Sequence, residues 1–204
     1  MLIGFVPIEE VIVPIDVIVL NGGSSSGKSG IVESLKEILP DPWINLGVGD
    51  LFDRLPSVLL GTAAGISFGP DGEVLVGDGW RTLETAWTTG VAAMARAGAR
   101  IVIDDNFLGG GADQERLRGH LDGLRVLWAG VHCAPEVAEA RELARFDRVP
   151  GMAVRQATAV HQGVVYDVEV DTTHATSRDC AEIIAGYVAR TGGIKNGQGP
   201  ATPA

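Results

Sequence analysis

The chain has little of several features that would otherwise direct its interpretation. Among 204 residues there are only two cysteines, Cys133 and Cys180, which lie far apart and form no C-x-x-C or zinc-binding spacing. No hydrophobic run reaches the length of a membrane span. The apolar residues 1–15 are interrupted by glutamates and prolines, and they lack the basic region and the cleavage site of a signal peptide. We therefore expect a cytoplasmic protein with reduced cysteines and no contact with a membrane.

Positive charge is scarce as well. The chain has 16 Lys and Arg against 26 Asp and Glu, which gives a net charge of −10. A surface of this sign does not attract nucleic acid, so we expect no nucleic-acid partner. The four histidines show no metal-binding spacing. Hydrophobic residues make up 46% of the chain, enough for one domain with a sizeable core, and this composition leaves an oligomer possible.

Short apolar segments alternate with longer segments of helical periodicity along most of the chain. The strand candidates are Asp16–Leu20, Trp43–Val48, Arg100–Asp104, Arg125–Val131 and Val168–Asp171. The helix candidates are Ser29–Leu39, Asp50–Leu59, Gly79–Ala97, Ala112–Leu121, Pro135–Arg145, Gly151–His161 and Ser177–Arg190. Such alternation predicts an α/β fold, in which a parallel sheet of about five strands carries helices on both faces.

The pattern divides the chain into three segments. Residues 1–15 form an N-terminal extension, which could add a strand or remain loose. Residues 16–191 form the folded domain, and residues 192–204, rich in Gly, Pro, Asn and Gln, are expected to be a disordered tail. Within the domain, the turn sequence Gly-Pro-Asp-Gly at 69–72 predicts a small hairpin beside the main sheet.

The most informative motif is GGSSSGKS, which fits the phosphate-binding pattern G-x-x-x-x-G-K-[ST]. Its residues are Gly22, Gly23, Ser24, Ser25, Ser26, Gly27, Lys28 and Ser29, and we count the following Gly30 with the same nucleotide site. A strand candidate precedes the motif and a helix candidate follows it, as a P-loop requires; a chance turn rich in Gly and Ser is the alternative. In a P-loop, backbone N–H groups hold phosphate, Lys28 reaches the β- and γ-phosphates, and Ser29 is a ligand of Mg²⁺.

A second signal is the pair of aspartates, Asp104 and Asp105, at the end of the apolar strand candidate Ile101-Val102-Ile103. A carboxylate in this place is typical of the Walker-B arrangement, which brings it close to Mg²⁺. Ligands of open α/β sheets gather at the carboxyl ends of the strands, where these aspartates are expected. A helix cap or a turn is the alternative. Together with the P-loop, the pattern favours a magnesium site with Asp104 as ligand.

A third signal is a group of arginines, Arg141, Arg145 and Arg148, close to a Pro-Gly pair. The spacing of Arg141 and Arg145 is i, i+4, so a helix would carry both on one face. In a phosphoryl transferase such a segment can act as a lid whose arginines neutralise the transferred charge. The alternative is a solvated helix face whose arginines pair with nearby glutamates.

A fourth signal is the sequence Gly47-Val48-Gly49-Asp50 after the second strand candidate. Asp50 could cap the next helix, which is the commonest role of aspartate at such a place. It could also lie at the edge of the site and accept the proton of a substrate hydroxyl. Asp53, one turn later, is a further carboxylate on a similar edge.

Several segments resemble those of the chloramphenicol phosphotransferases, small P-loop kinases that phosphorylate a primary hydroxyl of the antibiotic. The matching segments are Leu20–Ile31, Ala93–Gly110, Leu127–Val131, Arg141–Met152 and Tyr166–His174. The resemblance covers about residues 16–188 and implies a single domain of the P-loop nucleotide-kinase type, ATP with Mg²⁺, and a helical lid that carries arginines.

The chain departs from this family at one position. The family has its catalytic aspartate directly after the Gly-Val that ends the second strand, and this chain has Gly49 there, with Asp50 one residue later. Side-chain direction alternates along an extended strand, so a shift by one residue can turn a carboxylate away from the site. Asp50 serves as the base if the loop adjusts; otherwise Asp105 or Asp53 takes its place, or the substrate differs.

Three functions remain open. The first is an ATP-dependent O-phosphotransferase that acts on a hydroxyl of chloramphenicol or a related small antibiotic, with Lys28, Asp50, Asp105 and the three arginines as catalytic residues. The second is a kinase of another hydroxylated antibiotic or natural-product intermediate, which the Gly49 departure keeps open. The third is a nucleotide-binding switch without an acceptor. The apolar residues 55–60 and 66–68 could line an apolar acceptor pocket or could be plain core.

Overall fold

The computed structural model describes residues 14–69, 72–145 and 150–191. The predicted tail, and the predicted extension except for its last two residues, lie outside the described residues. Within the described ranges, no helix has both the length and the hydropathy to cross a bilayer.

The centre of the domain is a parallel sheet of five strands. They are β1 (Val17–Asn21), β2 (Trp43–Asn45), β5 (Arg100–Asp105), β6 (Val126–His132) and β7 (Val168–Asp171), in the order β2-β5-β1-β6-β7. All four neighbouring pairs are parallel. Every residue of β1 is buried, because this strand is central and covered on both faces. The predicted sheet is confirmed, with β1 carrying the P-loop at its carboxyl end.

Helices cover both faces of the sheet. They are α1 (Lys28–Ile38), α2 (Val48–Asp53), α3 (Asp78–Arg96), α4 (Gly111–His120), α5 (Pro135–Leu143), α6 (Met152–Ala159) and α7 (Ser177–Thr191). Alternate residues of β1 point to opposite faces. Ile18 and Leu20 belong to the core that includes residues of α1 and α7, whereas Val17 and Val19 belong to the core that includes residues of α3 and α4.

The region between β2 and α3 differs partly from the prediction. The helix predicted over Asp50–Leu59 ends at Asp53, and a short 3₁₀ turn follows at Ser57–Leu59. Pro56 explains the break, because proline has no N–H to donate and disfavours helical backbone at the residue before it. The predicted hairpin is present as β3 (Ile66–Phe68) and β4 (Val74–Val76), an antiparallel pair separate from the main sheet. A third, small core of Leu51, Leu55, Ile66 and Trp80 packs α2, the hairpin and α3 against one another.

Asp16 ties together the starts of three neighbouring strands. Its Oδ1 accepts hydrogen bonds from Arg125 at 2.8 Å and from Arg100 at 2.9 Å, and its Oδ2 accepts one from the backbone N–H of Arg125 at 2.9 Å. Burial alone would raise the pKa of this carboxyl, but the hydrogen bonds and charges of Arg125 and Arg100 outweigh burial and lower it.

We expect Asp16→Asn to reduce the free energy of unfolding at pH 7 by about 1.5–3 kcal/mol, the range for hydrogen bonds to a charged group. Because the native pKa of Asp16 is lowered, its ionic contribution is complete above the unfolded value of about 3.9 and is lost as pH falls below it. Urea unfolding at pH 7, 5 and 3 should therefore show a constant deficit at the first two values and a smaller one at pH 3. The control is Asp41→Asn, whose exposed carboxylate lies 3.9 Å from the same Arg100 and should matter little. Equal effects of the two variants would contradict this account.

Candidate active site

The predicted P-loop connects the end of β1 to the start of α1. Gly27 has φ of 93°, a left-handed conformation that glycine adopts at little cost, and it is the N-cap of α1. The loop is held from both sides: Gly22 N–H donates to the carbonyl of Asp105 at 3.4 Å, and the Thr172 hydroxyl donates to the carbonyl of Ser26 at 2.7 Å. These two contacts hold the loop in place. The N-terminus of α1, which follows the loop, remains accessible to a ligand.

Lys28 joins the P-loop to the Walker-B strand. Its ammonium group donates hydrogen bonds to the carbonyls of Gly22 at 2.7 Å and Gly23 at 3.0 Å, and lies 3.7 Å from Oδ1 of Asp104. The parallel register of β1 with β5, in which Leu20 pairs with Asp104, produces this meeting. Lys28 and Asp104, which are 76 positions apart in the chain, therefore meet in one site.

The donors and acceptors of the loop suit a phosphate ligand. The hydroxyls of Ser24, Ser25 and Ser26 are buried and have no hydrogen-bond partner among the described residues. Buried polar groups are normally paired, so these hydroxyls indicate a polar ligand. Ser29 is exposed on the first turn of α1. A serine hydroxyl and a carboxylate such as Asp104 are oxygen ligands of the kind that Mg²⁺ prefers when phosphate completes its shell.

No group of three His, Cys, Asp or Glu in the described part of the chain is arranged to hold a metal ion. Gly30, which we counted with the nucleotide site, lies against α7: a Cβ on it would lie 2.5 Å from the hydroxyl oxygen of Ser177. Its part in nucleotide binding stays a prediction.

Asp105 lies where the P-loop meets a large cavity. Burial raises its pKa to about 7, and the nearby charges of Glu84 and Asp104 act in the same direction, while the Asn106 N–H and Lys28 oppose them. The Asn106 N–H donates to Oδ1 of Asp105 at 2.7 Å. A carboxyl group with a pKa close to 7 can accept a proton at physiological pH, as a general base must.

The cavity has a volume of about 610 Å³ and lies between α2, the hairpin, α3 and α4. Its lining includes a group of apolar side chains, namely Phe52, Ile66, Phe68, Val74, Val76, Trp80, Phe107, Leu108 and Met152. Four carboxylates also line it. Glu84 and Asp113 are each paired with an arginine at 2.8 Å, whereas Asp53 and Asp105 have no ion-pair partner within the described residues. The cavity is thus mainly apolar, with surplus negative charge.

Asp50 has the capping role that the sequence also allowed. Its Oδ2 accepts a hydrogen bond from the N–H of Gly47 at 2.9 Å, and its Oδ1 lies 3.5 Å from Arg54. The cavity lining includes Gly49 and Asp53 on either side but not Asp50. The carboxylate of Asp50 is engaged with its own helix, so its role as catalytic base stays a prediction that no cavity contact supports.

The three predicted lid arginines have different surroundings. Arg141 donates to the hydroxyl of Thr172 at 3.1 Å and to its carbonyl at 2.8 Å, and the same hydroxyl bonds to the P-loop. Arg145 is exposed and lies beyond the end of α5 at Leu143, so the expectation that it shares a helix face with Arg141 was wrong. Arg148 lies outside the described residues. Their roles in phosphoryl transfer stay predictions.

Sequence reasoning missed Asn21, which is 1% exposed at the end of β1. Its amide donates to the carbonyl of Val160 at 2.8 Å and to the hydroxyl of Tyr166 at 2.5 Å, and accepts from the N–H of Phe107 at 2.8 Å. The Tyr166 hydroxyl also lies 2.6 Å from Nδ1 of His161. Burial raises the pKa of Tyr166 to about 12 and lowers that of His161 to about 4, so this cluster is neutral at pH 7. The sequence signal that could have identified Asn21 is its position as a polar residue directly after the apolar run of β1.

Comparison with known proteins identifies the family. Residues 15–189 match the family described as "Chloramphenicol phosphotransferase-like protein". Two Mycobacterium tuberculosis proteins, from strains CDC 1551 and H37Rv, are each 31% identical over 180 residues, which is 81% of this chain and 80% of theirs. Both carry the name "Putative O-phosphotransferase".

Solved structures of two kinases and of an antibiotic resistance protein share the fold. A sugar kinase from Janibacter sp. HTCC2649 has a TM-score of 0.65 at 16% identity, covering 86% of this chain and 95% of its own. A gluconokinase from Sinorhizobium meliloti 1021 has a TM-score of 0.57 at 19% identity, with coverages of 87% and 93%. A tunicamycin resistance protein from Deinococcus radiodurans has a TM-score of 0.59 at 21% identity, with coverages of 86% and 95%. The chain belongs to the chloramphenicol phosphotransferase-like family, whose enzymes transfer phosphate to a hydroxyl acceptor.

Proposed function

We propose that this protein is an ATP- and Mg²⁺-dependent O-phosphotransferase that inactivates a small antibiotic, chloramphenicol or a relative, by phosphorylating a hydroxyl group in the cytoplasm. The observation that carries the proposal is the position of Asp105. Its carbonyl accepts a hydrogen bond from the N–H of Gly22 in the P-loop, and the same residue is part of the cavity lining. A nucleotide on the loop and an acceptor in the cavity would therefore meet at this residue.

The P-loop residues would hold the nucleotide. The loop amides and the serine hydroxyls would bind phosphate oxygens, and Lys28 would reach the β- and γ-phosphates. Ser29 and Asp104 would hold Mg²⁺, which neutralises the charge on the phosphates when it is bound. Phosphoryl transfer needs mainly positioning and electrostatic stabilisation, and these residues supply both.

Asp105 is the better candidate for the base. It has the raised pKa and the cavity contact, whereas the Asp50 carboxylate caps α2. Asp105 would hold the proton that the acceptor hydroxyl gives up. Asp53 also lines the cavity, but its side chain is exposed on α2, where it is better placed to contact the acceptor than to take a proton.

The cavity favours a neutral acceptor with an aromatic or apolar body. Its apolar walls suit such a molecule, and the unpaired carboxylates Asp53 and Asp105 would repel an acid. Gly49 lies on the lining, and a Cβ added there would meet no atom within 4 Å. This open space supports a second candidate, a kinase of a bulkier hydroxylated antibiotic or natural-product intermediate.

The test is a kinase assay with the purified protein, ATP and Mg²⁺. We expect ADP release and a phosphorylated product by mass spectrometry with chloramphenicol, and no product with gluconate, an acidic polyhydroxy acceptor that serves as control. Product from other neutral hydroxylated antibiotics but not from chloramphenicol would favour the second candidate. Tight ATP binding without product from any acceptor would contradict the kinase proposal and support a nucleotide-dependent switch.

A further inference from the structure

Gln156 is a buried glutamine in contact with the P-loop. Its side chain is 2% exposed, and its Oε1 accepts hydrogen bonds from the N–H of Ser24 at 2.8 Å and from Nδ2 of Asn106 at 3.2 Å. Its other polar atom, Nε2, is buried and has no hydrogen-bond partner among the described residues. Since buried donors are normally paired, an amide fixed on one side and unpaired on the other indicates a ligand.

The contacts of α6 place this amide at the start of the phosphate loop, against the stretch whose carbonyls hold Lys28. A Cβ added to Gly23 would lie 3.1 Å from the carbonyl carbon of Gln156, so helix and loop are in direct contact. The ammonium group of Lys28 bonds to the carbonyls of Gly22 and Gly23 in the same part of the loop. Because the P-loop lysine reaches the β- and γ-phosphates, we expect Gln156 to lie near these two phosphates.

The same side chain is connected to the acceptor cavity. Asn106, which donates to Gln156, lines that cavity, and so does Met152, one helical turn before Gln156. Residues four apart lie on one face of a helix. This face of α6 therefore contacts the phosphate loop through Gln156 and the cavity through Met152.

The start of α6 is fixed in position by α5. The carboxylate of Glu142, which is 2% exposed, accepts hydrogen bonds from the N–H groups of Gly151 and Ala153, each at 2.8 Å. A carboxylate at a helix N-terminus satisfies amide donors that otherwise have no partner in the helix. Gln156 thus extends from a well-anchored helix, as a donor for a developing charge should.

We propose that Nε2 of Gln156 donates a hydrogen bond to an oxygen of the γ-phosphate and holds that group between the P-loop and the acceptor cavity. The inference rests on the proposed use of ATP. The Oε1 contacts fix the orientation of the amide, and the free N–H is a neutral donor to the group that is transferred. Neither the P-loop pattern nor the family resemblance drew attention to this residue in the sequence.

The test compares the binding of ATP and ADP, each with Mg²⁺, by titration calorimetry on the full chain. Gln156→Glu keeps an acceptor for the Ser24 N–H but puts a carboxylate in place of the donor. We expect ATP affinity to fall at least tenfold and ADP affinity to change less than about twofold, because only ATP has the γ-phosphate. Gln156→Met, which removes the donor without adding charge, should weaken ATP binding by several-fold with the same selectivity.

Gln114→Glu is the matched control. Gln114 is 1% exposed, and both polar atoms of its amide are paired with the backbone of Val165, at 2.7 and 2.9 Å. The control also puts a carboxylate in place of a buried amide and should destabilise the fold to a similar extent. Because its contacts are with Val165 and not with the P-loop, the ratio of ATP affinity to ADP affinity should stay unchanged. Equal losses of ATP and ADP affinity in the Gln156 variants, or no loss, would overturn the inference. If the wild-type protein binds neither nucleotide, the proposed function fails instead, so the two failures are distinguishable.

Discussion

Lys28→Ala is expected to lower kcat by about a thousandfold, the scale on which removal of a donor to transition-state charge acts. Lys28 is held by two carbonyls of the P-loop, 3.7 Å from Asp104, where its charge would face the phosphates. The lysine charge stabilises the transition state more than bound ATP, because negative charge shifts between the phosphate oxygens during transfer. The variant should therefore lose more in kcat than in affinity for the nucleotide. Steady-state kinetics with saturating ATP and acceptor measure this effect.

The matched control is Lys36→Ala in the last turn of the same helix. Lys36 is exposed and pairs with Glu33 at 2.8 Å, a surface ion pair that contributes little. Its loss should leave kcat unchanged. Comparable turnover in the Lys28 and Lys36 variants would show that the loop does not bind the reacting phosphates.

Asp105→Asn is expected to lower kcat by a factor of about 10²–10⁴, the usual contribution of a general base. Asparagine has nearly the same shape, so the affinity for ATP should change only a few-fold. A base acts when it is deprotonated. Because burial raises the pKa of Asp105 to about 7 in the unliganded protein, the kcat/KM of the wild type should rise with pH through that value. The small residual activity of the variant should not show this rise.

Asp50→Asn distinguishes the two candidates for the base. An asparagine oxygen can still accept the hydrogen bond from Gly47, so the cap of α2 should survive and kcat should stay within about threefold of wild type. The opposite result, a large loss at Asp50 and a small one at Asp105, would restore the base that the sequence first suggested. It would also mean that α2 rearranges when the acceptor binds.

The sheet could be predicted from the sequence because its signals are local. β1, β5 and β6 are short apolar runs followed by polar or glycine residues, which is how strands covered on both faces appear in a sequence. The P-loop was equally clear because its glycines and lysine are consecutive. The predicted strand ends differ from the observed ones by at most three residues, and those of β7 agree. The one helix predicted much too long contains Pro56, which interrupts it.

The role of Asp50 could not be decided from the sequence, since it depends on where α2 begins. The helix starts at Val48, which makes Asp50 its third residue, and a side chain there reaches back to the N–H of the N-cap Gly47. A start one or two residues later would have directed the carboxylate elsewhere. Sequence patterns do not locate the first residue of a helix with this accuracy.

Gln156 was not predicted, and the surroundings of Arg141 were left open, for a different reason. Gln156 contacts Ser24 across 132 positions of the chain, and Arg141 contacts Thr172 across 31. Local periodicity contains no information on such contacts. The sequence therefore identified the P-loop but not the helix that contacts it.

The hairpin wall of the cavity has a consequence for how acceptor preference can evolve. β3 and β4 pair only with each other among the described strands, and Phe68 and Leu75 remain exposed. A two-stranded hairpin has little stability of its own, and this one depends on the small core around Ile66, so we expect it to open at a lower free energy than the central sheet. Substitutions in this wall can then reshape the proposed acceptor pocket while the stability of the half that carries the P-loop stays nearly constant. Members of such a family can diverge in the molecules that they modify while they keep one phosphate donor.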